Sequence, residues 1–373
     1  MKRLMIVTNQ PSPYRVDFFA YLQKHYNKEF DIWILFSASN SASNRSWNAK
    51  EDSLINVVYP MSKVVKFHSK YDDTQTIISY GTSKKLNEVK PDVVVCMEYN
   101  YTALVVKHWC NSHKVPYISW SDGTRFSERN IKLHQKLFRK YIFRGTAAFI
   151  ASSTKAKENQ IYLGAPEDRI FISTLAVDIS RFREAGDNYE HNGNLIAVGS
   201  LVQRKGIDLL MAALAMIKDR QWTLDLVGSG PEKDNLKAYA KELGIADKVI
   251  FNGFMRDNEL MREYEEAGIF VFPTREDCFG LVTLEAMCCA LPAISSKYAD
   301  SSYDLIEEGR TGLIVDPYDK EALSQAIVRL LDDEELCRKM SAAAKEKSFE
   351  FGFDKTSVGF MDAVRFGMGN ADV

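Results

Sequence analysis

The twenty residues 273–292, PTREDCFGLVTLEAMCCALP, leave this chain few architectures to choose from. The run GIFVF before Pro273 is continuously apolar, as in a strand buried on both faces of a parallel sheet. After Gly280, LVTLEAMCC carries helix-forming residues with apolar positions at helical intervals. Strand, loop and helix in that order define a parallel α/β unit, and such sheets bind ligands outside the carboxyl ends of their strands. The loop TREDCFG therefore lies where a ligand is expected. A helix opening at Phe279 or Gly280 turns unpaired N–H groups and a positive dipole end toward that crevice, which suits a phosphate. Glu285, a lone carboxylate in an apolar helix, needs a partner or an open cleft. Its spacing from Asp277 would set both acids at one cleft, where sugar or ribose hydroxyls would satisfy them. The plainer reading is a solvated acidic loop and a helix-surface glutamate.

The alternation of strand and helix extends along the chain. RLMIVT, FDIWILF, PDVVVCM, PYISW and AAFIAS are strand-like runs separated by helical segments, as a doubly wound sheet requires. Ser12 is placed to cap the helix YRVDFFAYLQKH, with Pro13 in its first turn. Residues 37–70 are rich in Ser, Asn and Lys and show no period beyond a short INVVY, so they read as long loops. EAGDNYEHNGN has the polar, glycine-bearing character of a hinge, which puts the boundary within 185–192. A second strand, turn and helix series then starts at NLIAVGSLVQRKG. With 373 residues, 46% of them hydrophobic, two full cores are affordable.

Charge and cysteine usage exclude several classes. A formal net charge of −2 gives no global field for nucleic acid, so attraction to a membrane would need a local patch. One such patch is legible: residues 125–144 hold seven Lys or Arg and one Glu, interleaved with Ile131, Leu137, Phe138, Tyr141 and Ile142 at roughly helical spacing. That is a basic amphipathic helix, suited to an anionic membrane surface or a phosphate-bearing acceptor, or else a packing helix with a solvated face. Six cysteines without metal-ligand pairs read as reduced thiols in cytoplasm. The N-terminus is too short in its apolar part for a signal peptide, and no uncharged apolar run reaches membrane-spanning length.

The string DCFGLVTLEAMCCALPAI resembles the signature of family 4 retaining glycosyltransferases, the glycosyl transferases group 1, whose fold is GT-B. Their pattern is an acid, seven residues, then Glu, with Phe-Gly among the residues after the first acid. Asp277 stands where the family usually has a first Glu, and Glu276 is one position too early. The resemblance covers nearly the whole chain, dense over 195–317 and thin over 37–119. It implies two Rossmann-like doubly wound domains facing a cleft: an acceptor-side domain, 1–186, a nucleotide-sugar domain, 187–352, and a last helix, 353–373, crossing back to the first.

By that resemblance, Lys205 and Gly206 match the family's diphosphate grip, while Ser200 replaces its arginine and Arg204 is the neighbouring substitute. Gly228 and Gly230 match a Gly-x-Gly-Pro turn, and Gly253, Phe254 and Met255 the place of the nucleotide base. Cys278, Phe279, Gly280, Leu281 and Val282 surround the helix start. Glu285 would hold the ribose and Asp277 the sugar. On the acceptor side the family's glycine pair is replaced by Pro13, Tyr14 and Arg15. No histidine matches the family's position near the reacting sugar, which leaves Asp122 as the ionisable group there.

The function so implied is transfer, with retention, from a nucleotide-diphosphate sugar to an acceptor hydroxyl. A UDP-sugar is favoured over a GDP-sugar, and the acceptor is a glycan or lipid-linked intermediate of cell-surface polysaccharide synthesis. No cofactor and no metal are expected, and no nucleic acid partner. The location is cytoplasmic, peripheral to the inner membrane face. A sugar-nucleotide epimerase or phosphorylase of the same architecture, or a non-catalytic partner subunit, are the alternatives; a solute-binding protein would need a signal peptide.

Overall fold

The computed structural model describes residues 1–39, 51–68, 73–97, 99–182, 185 and 189–369. They form two compact units, one of residues 1–69, 73–178 and 353–373 and one built mainly of residues 179–352.

The first unit runs β1 (Lys2–Thr8), α1 (Pro13–His25), β2 (Phe30–Phe36), β3 (Val57–Val58), β4 (Met61–His68), β5 (Asp73–Tyr80), α2 (Thr82–Val89), β6 (Val93–Met97), α3 (Tyr101–His113), β7 (Tyr117–Ser121), α4 (Leu133–Phe143), β8 (Ala148–Ala151), α5 (Thr154–Tyr162) and β9 (Ile170–Ile172). Seven of these strands make a parallel sheet in the order β3-β2-β1-β6-β7-β8-β9. VVVCM in β6 is buried at every position, which is why it reads as an unbroken apolar run, and YISWS in β7 is buried throughout with Ser119 and Ser121 included.

The second unit runs β10 (Asn194–Val198), α6 (Ile207–Ala215), β11 (Thr223–Val227), α7 (Lys233–Glu242), β12 (Val249–Gly253), α8 (Asp257–Glu266), β13 (Ile269–Phe272), α9 (Leu281–Cys288), β14 (Ala293–Ser296), α10 (Ser302–Leu305), β15 (Gly312–Val315), α11 (Lys320–Asp332) and α12 (Glu334–Ser348). Its parallel sheet has the order β12-β11-β10-β13-β14-β15. The first strand of the series, β10, thus has β11 on one side and β13 on the other, in register Leu195↔Leu224 and Leu195↔Ile269. The two sheets, covered by helices, are the two Rossmann-like domains of a GT-B fold. The final helix, α13 (Phe353–Gly367), belongs to the first unit, where Phe360, Met361, Ala363 and Val364 are fully buried in its core.

Four expectations are corrected. Within 37–70, β3 and β4 are strands, and β4 pairs antiparallel with β5 from Met61↔Tyr80 to His68↔Asp73. MSKVVKFH has no strict alternation of apolar and polar residues, and β4 and β5 form a two-stranded ribbon separate from the main sheet, where register is less tightly set by such a pattern. Residues 40–50 of that stretch lie outside the described ones. The unit junction falls at Asp178–Ile179, ahead of 186–187, because Phe182 and Ala185 are buried in the second unit and Lys345 Nζ donates to the Ala185 carbonyl at 2.7 Å. Residues 184 and 186–188 of the expected hinge also lie outside the described ones. Ser12 does precede α1, with Pro13 at its first position, but its hydroxyl makes no cap hydrogen bond. Lastly, the basic helix is α4 alone, Leu133–Phe143, and Arg139 points inward.

Candidate functional site

Connections leaving adjacent parallel strands in opposite directions open a crevice between them, and in the second unit that switch lies between β10 and β13. The loop after β10 carries Ser200, Arg204 and Lys205. The loop after β13 carries Thr274 to Phe279. The two loops are stitched together: the Arg204 carbonyl accepts from Arg275 N–H at 2.8 Å and from Thr274 Oγ1 at 3.0 Å. Gly206, at φ +67°, passes so close that a Cβ there would meet the Pro273 carbonyl oxygen at 2.1 Å. This approach explains the Lys-Gly pair, since only glycine lets the loops meet while lysine reaches across.

Lys205 Nζ donates to Asp277 Oδ2 at 2.7 Å, and Arg204 Nη1 donates to the same oxygen at 3.1 Å and to the Glu276 carbonyl at 3.0 Å. The other carboxylate oxygen, Oδ1, accepts from Phe279 N–H at 3.2 Å. Burial alone would raise the Asp277 carboxyl, but the two cations and that N–H hold it down at about 2. Asp277 is also fixed through its backbone, its N–H donating to Tyr298 O and its carbonyl accepting from Asp300 N–H, both at 3.0 Å. Lys205 Nζ further sits 4.8 Å from the Phe272 ring centre. One carboxylate between two cations leaves this cluster net positive, a field suited to an anionic group.

Gly280 immediately precedes α9, and Ser301 Oγ donates to the Phe279 carbonyl beside that helix start. Glu285 lies one turn into α9 and is half-buried. Its Oε2 accepts from the hydroxyl of Tyr264, a fully buried residue of α8, at 3.2 Å. Burial pushes the Glu285 carboxyl up to about 7, against the opposing pull of Tyr264 and of Arg181.

The remaining sequence candidates of this unit lie at neighbouring strand ends. Gly228 N–H donates to the carbonyl of Gly253, which ends β12, at 2.7 Å. A Cβ on Gly228 would meet the Gly199 carbonyl oxygen at 1.8 Å, so the Gly-x-Gly turn that includes Gly230 serves loop-to-loop packing. Ser200 and Phe254 are exposed, and Met255, Cys278, Leu281 and Val282 are partly so. In the first unit, Arg15 is buried: Nη1 donates to Thr8 Oγ1 at 3.2 Å, Nη2 lies 4.0 Å from Asp122 Oδ2, and the guanidinium is 5.5 Å from the Tyr14 ring centre. Pro13 opens the same helix. The turn at Asp122 is built by its neighbour, since Ser121 Oγ accepts from Gly123 N–H at 3.1 Å.

Sequence reasoning missed Tyr264, Arg275 and Asp208. Arg275 forms a two-pronged pair with Asp208 at 2.7 and 2.6 Å, tying the loop after β13 to α6. Tyr264 had one legible signal, a single aromatic in the mostly charged helix DNELMREYEE.

Residues 178–347 match the family described as glycosyl transferases group 1. The matched segment covers most of the second unit, strand switch included. An uncharacterized glycosyltransferase of Haemophilus influenzae is 30% identical over 166 residues, 44% of this chain and 46% of that one. A D-inositol 3-phosphate glycosyltransferase of Acidothermus cellulolyticus is 30% identical over 233 residues, 57% of this chain and 51% of that one. The chain thus spans about half the length of these curated relatives. Among solved structures, Anabaena Alr3699/HepE in complex with UDP superposes with a TM-score of 0.78 at 16% identity, over 98% of this chain and 99% of that one, a likeness of fold.

Proposed function

We propose that this chain is a retaining glycosyltransferase that moves a sugar from a nucleotide-diphosphate sugar to an acceptor hydroxyl. The observation that carries the reading is the Lys205, Arg204 and Asp277 cluster at the β10/β13 switch, within the segment that matches group 1. In this reading Lys205 and Arg204 stabilise the leaving diphosphate, whose charge grows as the glycosidic bond breaks. The N–H groups at the start of α9 add a positive end to the same place. Asp277, kept ionised, accepts from sugar hydroxyls, and Glu285 accepts from the ribose. No protein nucleophile is assigned; the leaving phosphate takes the acceptor proton on the same face. The chemistry asks for no metal, because the cations and helix start supply the field.

On the acceptor side, Arg15 and Asp122 are the groups assigned to a glycan or lipid-linked intermediate of cell-surface polysaccharide synthesis. UDP is the favoured nucleotide, supported by the UDP bound to the Anabaena protein of the same fold. The enzyme works in the cytoplasm. The test is a thermal-shift screen of UDP- and GDP-sugars, in which a ligand at 100 times its Kd stabilises by about 2.7 kcal/mol. The anomeric configuration of the product is then read by NMR. Conversion of donor with no acceptor present would instead establish an epimerase, and stabilisation by no nucleotide sugar would sink the reading.

A further inference from the structure

Helix α4 has one face turned inward and one turned to the surface. Phe138, Arg139, Ile142 and Phe143 turn toward the core side, and Arg139 pairs there with Glu128 while its guanidinium lies 4.8 Å from the Tyr99 ring centre. That leaves Leu133, Leu137 and Tyr141, at successive four-residue steps, 73%, 57% and 42% exposed. Lys136, Lys140 and Arg144 are exposed on the same side of the helix, and residues 129–157 contain no Asp or Glu. A chain of net charge −2 therefore concentrates cations around one exposed apolar stripe.

We propose that this face of α4 docks the protein on an anionic lipid surface, with Leu133, Leu137 and Tyr141 entering the acyl boundary and Lys136, Lys140 and Arg144 against the headgroups. The charge pattern selects this occupant. A second copy of the chain would bring the same cations against one another, whereas anionic headgroups neutralise them and acyl chains cover the stripe. Among the described residues no helix is long and apolar enough to cross a membrane, so the contact is one that lies on the surface. The proposal is independent of sugar transfer, and its test reads no activity.

The test is co-sedimentation of the full chain with vesicles of phosphatidylcholine, alone or mixed with phosphatidylglycerol. Binding to the mixed vesicles only, weakened by salt, is expected. Lys136→Gln/Lys140→Gln should lower partitioning roughly 30-fold at low salt. Leu133→Ser/Leu137→Ser should abolish it, with the melting temperature of both variants unchanged. Absence of binding to anionic vesicles at low salt overturns the proposal, as does equal binding by both variants. So does a wild-type dimer that the Leu133→Ser/Leu137→Ser variant dissociates, or binding of an RNA oligonucleotide in place of vesicles.

Discussion

Tyr264 donates its phenolic hydroxyl to Glu285 across 3.2 Å, from a side chain with no exposure of its own. The bond favours the carboxylate and so works against the burial that raises Glu285 to about 7. In the proposed reaction Glu285 accepts from hydroxyl groups as the anion, so transfer should rise with pH through about 7. Tyr264→Phe keeps the packing and removes the donor. We expect the acidic limb of kcat/KM to move to higher pH, with a smaller effect well above it. A limb at the wild-type position would show that Tyr264 only fills space.

The same raised value predicts a stability trade. The neutral form of Glu285 is the one the fold favours, so its contribution is complete below the unfolded value near 4.5 and is lost as pH rises through about 7. Glu285→Gln, neutral at every pH, should melt above the wild type at pH 8, with the gap closing toward pH 4.5, while transfer is lost. Thermal melts across that range check it, and a variant that is both active and no more stable removes Glu285 from the site.

For Lys205 and Asp277 the expectation is coupling. Asp277 is held at about 2, below its ordinary 3.8, so its contribution is present above 3.8 and lost as pH falls through about 2. Lys205→Ala leaves a mostly buried carboxylate with Arg204 alone and should cost about 2 kcal/mol at neutral pH. The double variant with Asp277→Ala should lose less than the sum of the single losses. In kinetics, Lys205→Ala should lower kcat about 100-fold, more than it lowers donor affinity. Additive stabilities, or equal losses in rate and affinity, would contradict the pairing or the role.

Lys107 presents the reverse case in the first unit. It is fully buried, its Nζ donating to Thr146 Oγ1 at 3.3 Å and lying 4.8 Å from the Tyr117 ring centre. Burial pulls it down to about 8 from 10.5, so between those values the unfolded chain holds the proton more tightly and stability rises with pH. Lys107→Met should be about 2 kcal/mol more stable at pH 7, and the advantage should shrink toward pH 10.5. Parallel melting curves for the two proteins from pH 7 to 10 would refute this.

What the sequence disclosed and withheld follows from the range of each interaction. The strand, loop and helix of 273–292 were legible because periodicity is local, whereas Lys205 was singled out only through the family resemblance, its contact with Asp277 being made 72 residues away in the chain. Tyr264 was not, since its partner is 21 residues away on another helix. Arg139 shows a second limit. Composition counts it with the cations of α4, yet Glu128, eleven residues earlier, draws it inward. Lys136, Lys140 and Arg144 are the cations left on the outer face.

The helix α13 gives the first unit a late last piece. Translation completes residues 179–352, a contiguous stretch, before Phe353–Gly367 leaves the ribosome. The first unit, although it starts at the N-terminus, is therefore not complete until the chain has been made through α13. Until then the first sheet lacks the side chains of Phe360 and Met361 that complete its core. For that interval the leading half of the protein is the part a chaperone would find open.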